Sequence, residues 1–249
     1  MLHPRNVLIT GANRGLGLEL VKQFLQLPKP PKNLLATCRN PEKAEDLKEV
    51  AKKHSNVKVL QLDVTKTDEI ENIASISEEI FSKEGLNLLI NNAGISFKKQ
   101  YLGNLNKQNL IEQFDVNVFG PTLVTQALLP YLRQAAKASS DTPLGCNRAA
   151  VANISSILAS IELNKTGGLY PYRTSKAALN MLTKNMNNDL KADGILCFCM
   201  HPGWVQTDMG GPTADVTQEA SVAGLMKVMS KMKEDSDIYV DYNGKTLPW

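Results

Sequence analysis

Tyr172 and Lys176 stand four residues apart in the stretch from Tyr170 to Asn180, which reads Tyr-Pro-Tyr-Arg-Thr-Ser-Lys-Ala-Ala-Leu-Asn. The later residues of this stretch have helical propensity and spacing, so both side chains project from one face, about 6 Å apart along the axis. That sets an ammonium beside a phenol. A tyrosine titrates near pH ~10, and a neighbouring positive charge lowers that by roughly 1–3 pH units, toward the range where a phenol exchanges a proton with a substrate oxygen. The same pair also occurs on many solvated helices, so its meaning depends on what the rest of the chain brings to it.

A second stretch has the chemistry of anion binding. The short apolar run from Asn6 to Thr10 leads into Gly11-Ala-Asn-Arg-Gly-Leu-Gly17, followed by Leu18, Leu20, Val21, Phe24, Leu25 and Leu27 at helix-like spacing. This reads as strand, glycine loop, helix. Glycines at 11, 15 and 17 allow close backbone approach to a ligand, and the N–H groups at the helix start offer positive potential to a diphosphate. A second apolar run, Asn33 to Cys38, ends at Arg39. A site preferring NAD usually carries Asp or Glu there to bind the ribose 2′-hydroxyl. Here the residue is basic, and Arg39 with Arg14 suits charge-assisted bonds to a 2′-phosphate, with no local carboxylate placed to oppose them. That pattern points to NADPH/NADP+. Two ordinary exposed arginines would look the same.

Other strand and helix patterns alternate along the chain to position these groups. Val57 to Leu62 is a third strand followed by Asp63-Val64, and Leu86 to Ile90 a fourth ending in Asn91-Asn92-Ala93-Gly94. Asn106 to Ala136 reads as one long helix with Asn117 among apolar neighbours, and Ala138 to Asn147 as a surface loop. Ala149 to Ile154, Ile195 to Met200 and Ile238 to Tyr242 complete the strands. Helices are expected over Glu42 to Lys53, Asp68 to Phe81 and Glu219 to Met232. The glycines of His201 to Gly211 suit a mobile flap. Alternation of this kind is the mark of an α/β protein with a parallel sheet covered on both faces.

With 249 residues, of which 43% are hydrophobic and 21% charged, the chain is long enough for one α/β domain spanning 1–249. A net charge of +3 without a basic block argues against nucleic acid. No membrane span or leader is visible, which makes the cytoplasm the expected location. Cys38, Cys146, Cys197 and Cys199 form neither a CxxC pair nor a secreted framework, so neither a disulfide nor a metal is expected.

Taken in order, Thr10-Gly-Ala-Asn-Arg-Gly-Leu-Gly17, Asn91-Asn-Ala-Gly94, Asn117 in Asn-Val-Phe-Gly120, Ser156, Tyr-Arg-Thr-Ser-Lys176 and Pro202-Gly203 resemble the classical short-chain dehydrogenases/reductases along nearly the whole chain. Cys38-Arg39-Asn40, Asn153-Ile-Ser-Ser-Ile157 and His201-Pro-Gly-Trp-Val205 are similar to sniffer-type carbonyl reductases. The resemblance implies a Rossmann-like, doubly wound parallel sheet of seven strands, and carbonyl reduction by hydride from NADPH. It implies Tyr172 as acid, Ser156 polarising the carbonyl, Lys176 lowering the tyrosine pKa and holding the nicotinamide ribose, and Asn117 fixing a water that links the lysine to solvent. Gly11, Asn13, Arg14, Gly15, Leu16 and Gly17 would hold the diphosphate side. Asp63 and Val64 would hold the adenine, Asn92, Ala93 and Gly94 the ribose region, and Val205 and Thr207, beside Pro202 and Gly203, the carboxamide. Ile95, Phe97, Ile157, Trp204 and Met209 would form an apolar substrate pocket for ketones, aldehydes or quinones.

Two departures from the family pattern stand out. Ser156 precedes Tyr172 by 16 positions, more than is usual, and the loop after Asn117 is lengthened, which bears on packing as a homodimer. Because successive strand side chains face opposite ways, only one of Ser155 and Ser156 can face the cofactor, and the family register favours Ser156. Two alternatives stay open: a sensor or scaffold that binds NADP(H) without turnover, and an alcohol or hydroxysteroid dehydrogenase working oxidatively.

Overall fold

The apolar runs become strands buried on both faces. β1 (Asn6–Ile9), β2 (Asn33–Cys38), β3 (Val57–Gln61), β4 (Leu88–Asn91), β5 (Ala150–Ile154), β6 (Leu196–His201) and β7 (Tyr239–Asp241) form one seven-stranded sheet in the computed structural model, which describes all residues except 82, 98 and 99. Every adjacent pair is parallel, in the order β3-β2-β1-β4-β5-β6-β7. Val7 and Ile9 enter one core with Phe24 and Val222, while Leu8 enters the other with Phe81 and Leu128. This is why the strands read as nearly continuous apolar runs rather than as alternating ones.

Helices α1 (Gly15–Leu25), α2 (Glu45–Lys53) and α7 (Gln218–Met229) cover the first face. α3 (Thr67–Phe81), α5 (Gly120–Ala138) and α6 (Tyr170–Leu190) cover the second, with α4 (Lys107–Phe114) leading into α5. The arrangement is a Rossmann-like doubly wound sheet. After β3 the chain returns to the far side of β1, so the loops following β1 and β4 diverge and leave a crevice at the carboxyl ends of the strands.

Several boundaries differ from the sequence reading. β4 starts two residues later and runs through Asn91, and β7 is confined to three residues. The expected helix from 106 to 136 is α4 and α5 joined by a π-helical turn, Asp115–Phe119, and it continues to Ala138, so the loop begins only at Ser139. Pro121 supplies the reason: it has no N–H to give the carbonyl four residues back, that of Asn117, and its ring crowds that carbonyl unless the helix widens. Asn91 turns into a buried polar ladder. Its Nδ2 donates to Asn153 Oδ1 at 2.8 Å and Thr125 Oγ1 at 3.1 Å, and Asn153 Nδ2 donates to Thr183 Oγ1 at 2.8 Å. These bonds tie β4 and β5 to α5 and α6 beneath the crevice.

Candidate active site

A cleft of about 1170 Å³ lies along the carboxyl ends of the strands. Arg39, Asp63 and Val64 border it beyond β2 and β3, Gly11, Asn13, Arg14, Gly15 and Leu16 beyond β1, and Asn92, Ala93, Gly94 and Ile95 beyond β4. Tyr172, Lys176, Pro202, Thr207 and Met209 border it on the β5 and β6 side. The volume exceeds the ~300–1,000 Å³ of a typical small-molecule site, leaving room for a dinucleotide and a substrate together.

The glycine loop is shaped by contact with β4 as much as by the cleft. Gly11 has φ +65°, and a Cβ there would stand 2.9 Å from Ala93 Cα. Gly17 does not border the cleft: a Cβ on it would strike the Gly11 carbonyl and come within 2.7 Å of Asn92 Nδ2, so its role is close packing of α1 on the loop. Asn92 Nδ2 in turn donates to Thr10 O and Gly11 O, both at 3.0 Å. Arg14 occupies the N-cap of α1 in extended conformation without a side-chain cap, so the first-turn N–H groups are left for an anion in the cleft.

The basic end of the cleft is less simple than the sequence suggests. Arg39 is exposed and, among the described residues, makes no ion pair. Arg14 is not free of carboxylates: its Nη1 bonds Asp208 Oδ2 at 2.5 Å, because the segment after β6 folds back across the glycine loop. Lys22 and Lys43, absent from the residues expected above, also border this region. Their only signal was position, one on the helix after the glycine loop and one just past Arg39.

At the other end α6 presents Tyr172 and Lys176 on one face, and Lys176 is 5% exposed. The electrostatics differ from the expectation. Burial raises the Tyr172 pKa, and what opposes burial is the nearby Ser156 hydroxyl rather than the Lys176 charge. The ammonium is bound to the Ile154 carbonyl at 2.7 Å, and burial pushes its own pKa down to about 8.

Asn117 is fully buried in the π turn. Its Oδ1 accepts from Ile95 N at 2.9 Å, and its Nδ2 donates to Ile95 O at 3.0 Å and Ser175 Oγ at 3.1 Å. The side chain is therefore a strut between the loop after β4 and α6. A Cβ on Gly94 would lie 3.3 Å from Asn117 Oδ1 and 3.6 Å from Lys176 Nζ, so the space in front of Gly94 touches both residues.

Of the apolar candidates, Ile95 and Met209 border the cleft. Ile157 and Trp204 are exposed side chains, Trp204 donating through Nε1 to Gly210 O at 2.9 Å, and Phe97 lies outside the lining. Gly203, at φ +89°, and the buried Val205, bridged to Val216, shape the turn after β6 without bordering the cleft themselves.

A family profile described as short chain dehydrogenase matches residues 5–218. The chain belongs to the short-chain dehydrogenase family. It is accordingly an oxidoreductase. Among solved short-chain dehydrogenase structures it is similar to the carbonyl reductase Sniffer of D. melanogaster, with 44% identity, 99% of this chain and 100% of that one covered, and a TM-score of 0.97. It is also similar to an NADPH-bound carbonyl reductase from chicken fatty liver, with 41% identity, both chains fully covered and a TM-score of 0.94. The C-signal protein of Myxococcus xanthus is 41% identical over 165 residues, 66% of this chain and 93% of that protein. No described helix is long and apolar enough to cross a membrane.

The two adjacent serines of this short-chain dehydrogenase have separate partners. Ser155 borders the cleft, yet its hydroxyl donates to the side chain of Asn180, Oδ1 at 2.6 Å, rather than to backbone. Ser156 stays extended past the end of β5, at φ −155° and ψ 147°; its hydroxyl accepts from Leu158 N at 3.2 Å and acts on the Tyr172 pKa, but Ser156 does not itself border the cleft. Ser156→Ala is expected to cut kcat with a saturating ketone by about 10²-fold, as for loss of one oxyanion donor. Ser155→Ala should instead lower the thermal midpoint, since it leaves buried Asn180 without a donor. A kcat loss confined to Ser155→Ala would assign the role to the other serine.

Proposed function

We propose that this short-chain dehydrogenase is an NADPH-dependent carbonyl reductase acting on hydrophobic ketones, aldehydes or quinones. What supports the reading is that Tyr172 and Lys176 border one end of a cleft whose other end holds Arg39, with the Ser156 hydroxyl near enough to Tyr172 to act on its pKa. The residues present fit the dinucleotide: uncapped N–H groups at the start of α1, Gly11 and Gly15 in the cleft lining, and, just past β2, Arg39 without an ion pair among the described residues. The NADPH-bound chicken relative supports the same cofactor.

NADPH, when bound, supplies the hydride that adds to the carbonyl carbon. The protein's share is the proton and the geometry. Ser156 donates a hydrogen bond to the carbonyl oxygen, and Tyr172 gives that oxygen its phenolic proton as negative charge develops there, completing the alcohol. A phenol whose pKa is raised by burial keeps its proton at neutral pH, which suits the reductive direction. Lys176 lies where it can hold the ribose and supply positive charge for return of a proton to the phenolate. Asn117, bonded to Ser175 next in chain, keeps α6 in place.

Lys176 also sets a pH limit. Its folded pKa is lowered, so the ammonium is present below about 8 and is lost as pH rises through that value, before the phenol ionises. Since kcat/KM reports ionisations of the free enzyme, reduction should fall about tenfold per pH unit above the break. A profile that stays flat to pH ~10, the ordinary lysine range, would overturn this limit, the ammonium then being either still charged there or not needed.

The reading is tested by NADPH oxidation against quinones, aromatic ketones, aldehydes, steroids and keto acids in competition. Ile95 and Met209 on the cleft wall favour large apolar carbonyls. Preference for an anionic keto acid would overturn the substrate class, and absence of turnover with every carbonyl would overturn the activity.

A further inference from the structure

Behind the Ser156 main chain lies an aromatic and polar group that proton transfer does not use. Tyr239, on β7, is 1% exposed, and its hydroxyl donates to the Ser156 carbonyl at 2.6 Å. Its ring stacks on Trp249, with centroids 5.1 Å apart and planes inclined by 29°. The main-chain oxygen of Trp249 accepts from Glu162 N at 3.0 Å and Ser160 Oγ at 3.4 Å. Leu247 N donates to Tyr239 O at 2.9 Å, and Ala159, Cys199, Tyr239 and Leu247 form a small buried cluster apart from the two main cores.

These contacts reach both ends of the 3-10 turn Ile157–Ala159 that follows Ser156. The sheet no longer holds the chain there: β5 ends at Ile154, and Ser155 N to Met200 O, at 2.8 Å, is the last bond to β6. The Ser156 carbonyl accepts from Ala159 N at 2.9 Å inside the turn and from Tyr239 outside it, so both of its lone pairs are engaged and its peptide plane is fixed. With the Ser155 N–H held by Met200 O on one side and this plane fixed on the other, the Ser156 main chain is pinned at both ends, and with it the direction of the Cα–Cβ bond that carries the hydroxyl. Asn180 extends the group. It accepts the Ser155 hydroxyl, while its amide lies beside the Tyr239 oxygen without a formed hydrogen bond of its own. A phenylalanine would fill the same space; what the tyrosine adds is the bond to the serine carbonyl.

We propose that Tyr239, backed by Trp249, is a positioning residue that holds the Ser156 hydroxyl in register with Tyr172 during carbonyl reduction. This rests on the function proposed above. Neither residue touches the cleft, so the effect runs through Ser156.

Tyr239→Phe tests this, since it keeps the ring and the stack and removes only the hydroxyl. Expected is a kcat lower by roughly 10- to 100-fold, as for a displaced catalytic group, with KM and Kd for NADPH unchanged. In a Ser156→Ala background the same substitution should have no further effect on kcat, because the group it positions is gone. Trp249→Phe should keep kcat and Trp249→Ala should lose it, all assays being run well below each variant's thermal midpoint. A Tyr239→Phe enzyme with wild-type kcat, or one whose loss is undiminished in the Ser156→Ala background, would overturn the positioning role and reduce the bond to stability alone. Should Tyr239→Phe fail to fold, the Trp249 pair decides by the same criteria. Wild-type turnover is the reference: its absence overturns the proposed function itself, whereas wild-type turnover with an unaffected Tyr239→Phe overturns only this inference.

Discussion

Replacing Tyr172 with phenylalanine is expected to lower carbonyl-reducing turnover by about 10²–10⁴-fold, the usual contribution of a positioned acid, while leaving the Kd for NADPH nearly unchanged. Only the hydroxyl is lost. The ring keeps its place in the first turn of α6, and the cofactor-facing residues of the glycine loop and the loop after β4 are untouched. Steady-state kcat with a saturating ketone, set beside a fluorescence titration of NADPH, separates the two effects. A variant that kept more than a few per cent of activity, a loss of less than roughly thirtyfold, would remove Tyr172 from the role of general acid. Lys176→Ala should damage both readouts, because that side chain borders the cleft and is bound at 2.7 Å to the carbonyl before Ser155.

Arg39→Asp is expected to raise KM for NADPH by about 10²-fold or more and to change KM for NADH little. Loss of a hydrogen bond to a charged group costs about 1.5–3 kcal/mol, and a carboxylate in its place adds repulsion of the 2′-phosphate. The ion pair between Arg14 and Asp208 ranks the two arginines. Arg14 is already shared with a carboxylate 194 positions away, so Arg14→Ala should weaken NADPH binding less than Arg39→Asp does. The ratio of kcat/KM for the two cofactors measures it. An unchanged ratio in the Arg39 variant would sink the assignment of the 2′-phosphate to this position.

How far the site could be read from the chain depended on how local the cause was. The pairing of Tyr172 and Lys176 on one helical face follows from a spacing of four and needed no fold. The separate surroundings of Ser155 and Ser156 agree with alternation in extended backbone, which persists past β5: one hydroxyl donates to Asn180, the other accepts from Leu158 N, and it is Ser155 that borders the cleft. For Asn117 a local signal is Pro121, four residues on, which gives no N–H to the Asn117 carbonyl and accompanies the π-helical turn. Tyr239 carried no local signal, since its partner Ser156 is 83 residues away in the chain.

Chain order alone was enough to specify the strands, the glycine turn, the helix of the candidate acid and the family. These rest on periodicity and on backbone conformations that neighbouring residues impose on one another. Only the tertiary structure decided the electrostatics. Which carbonyl binds the Lys176 ammonium, how deeply Tyr172 is buried, which carboxylate meets Arg14 and what bonds the Ser156 carbonyl all depend on residues 22 to 194 positions away. Burial and close charge contacts act through space within a few ångströms, and chain order carries no measure of that distance until the sheet has brought the strands side by side.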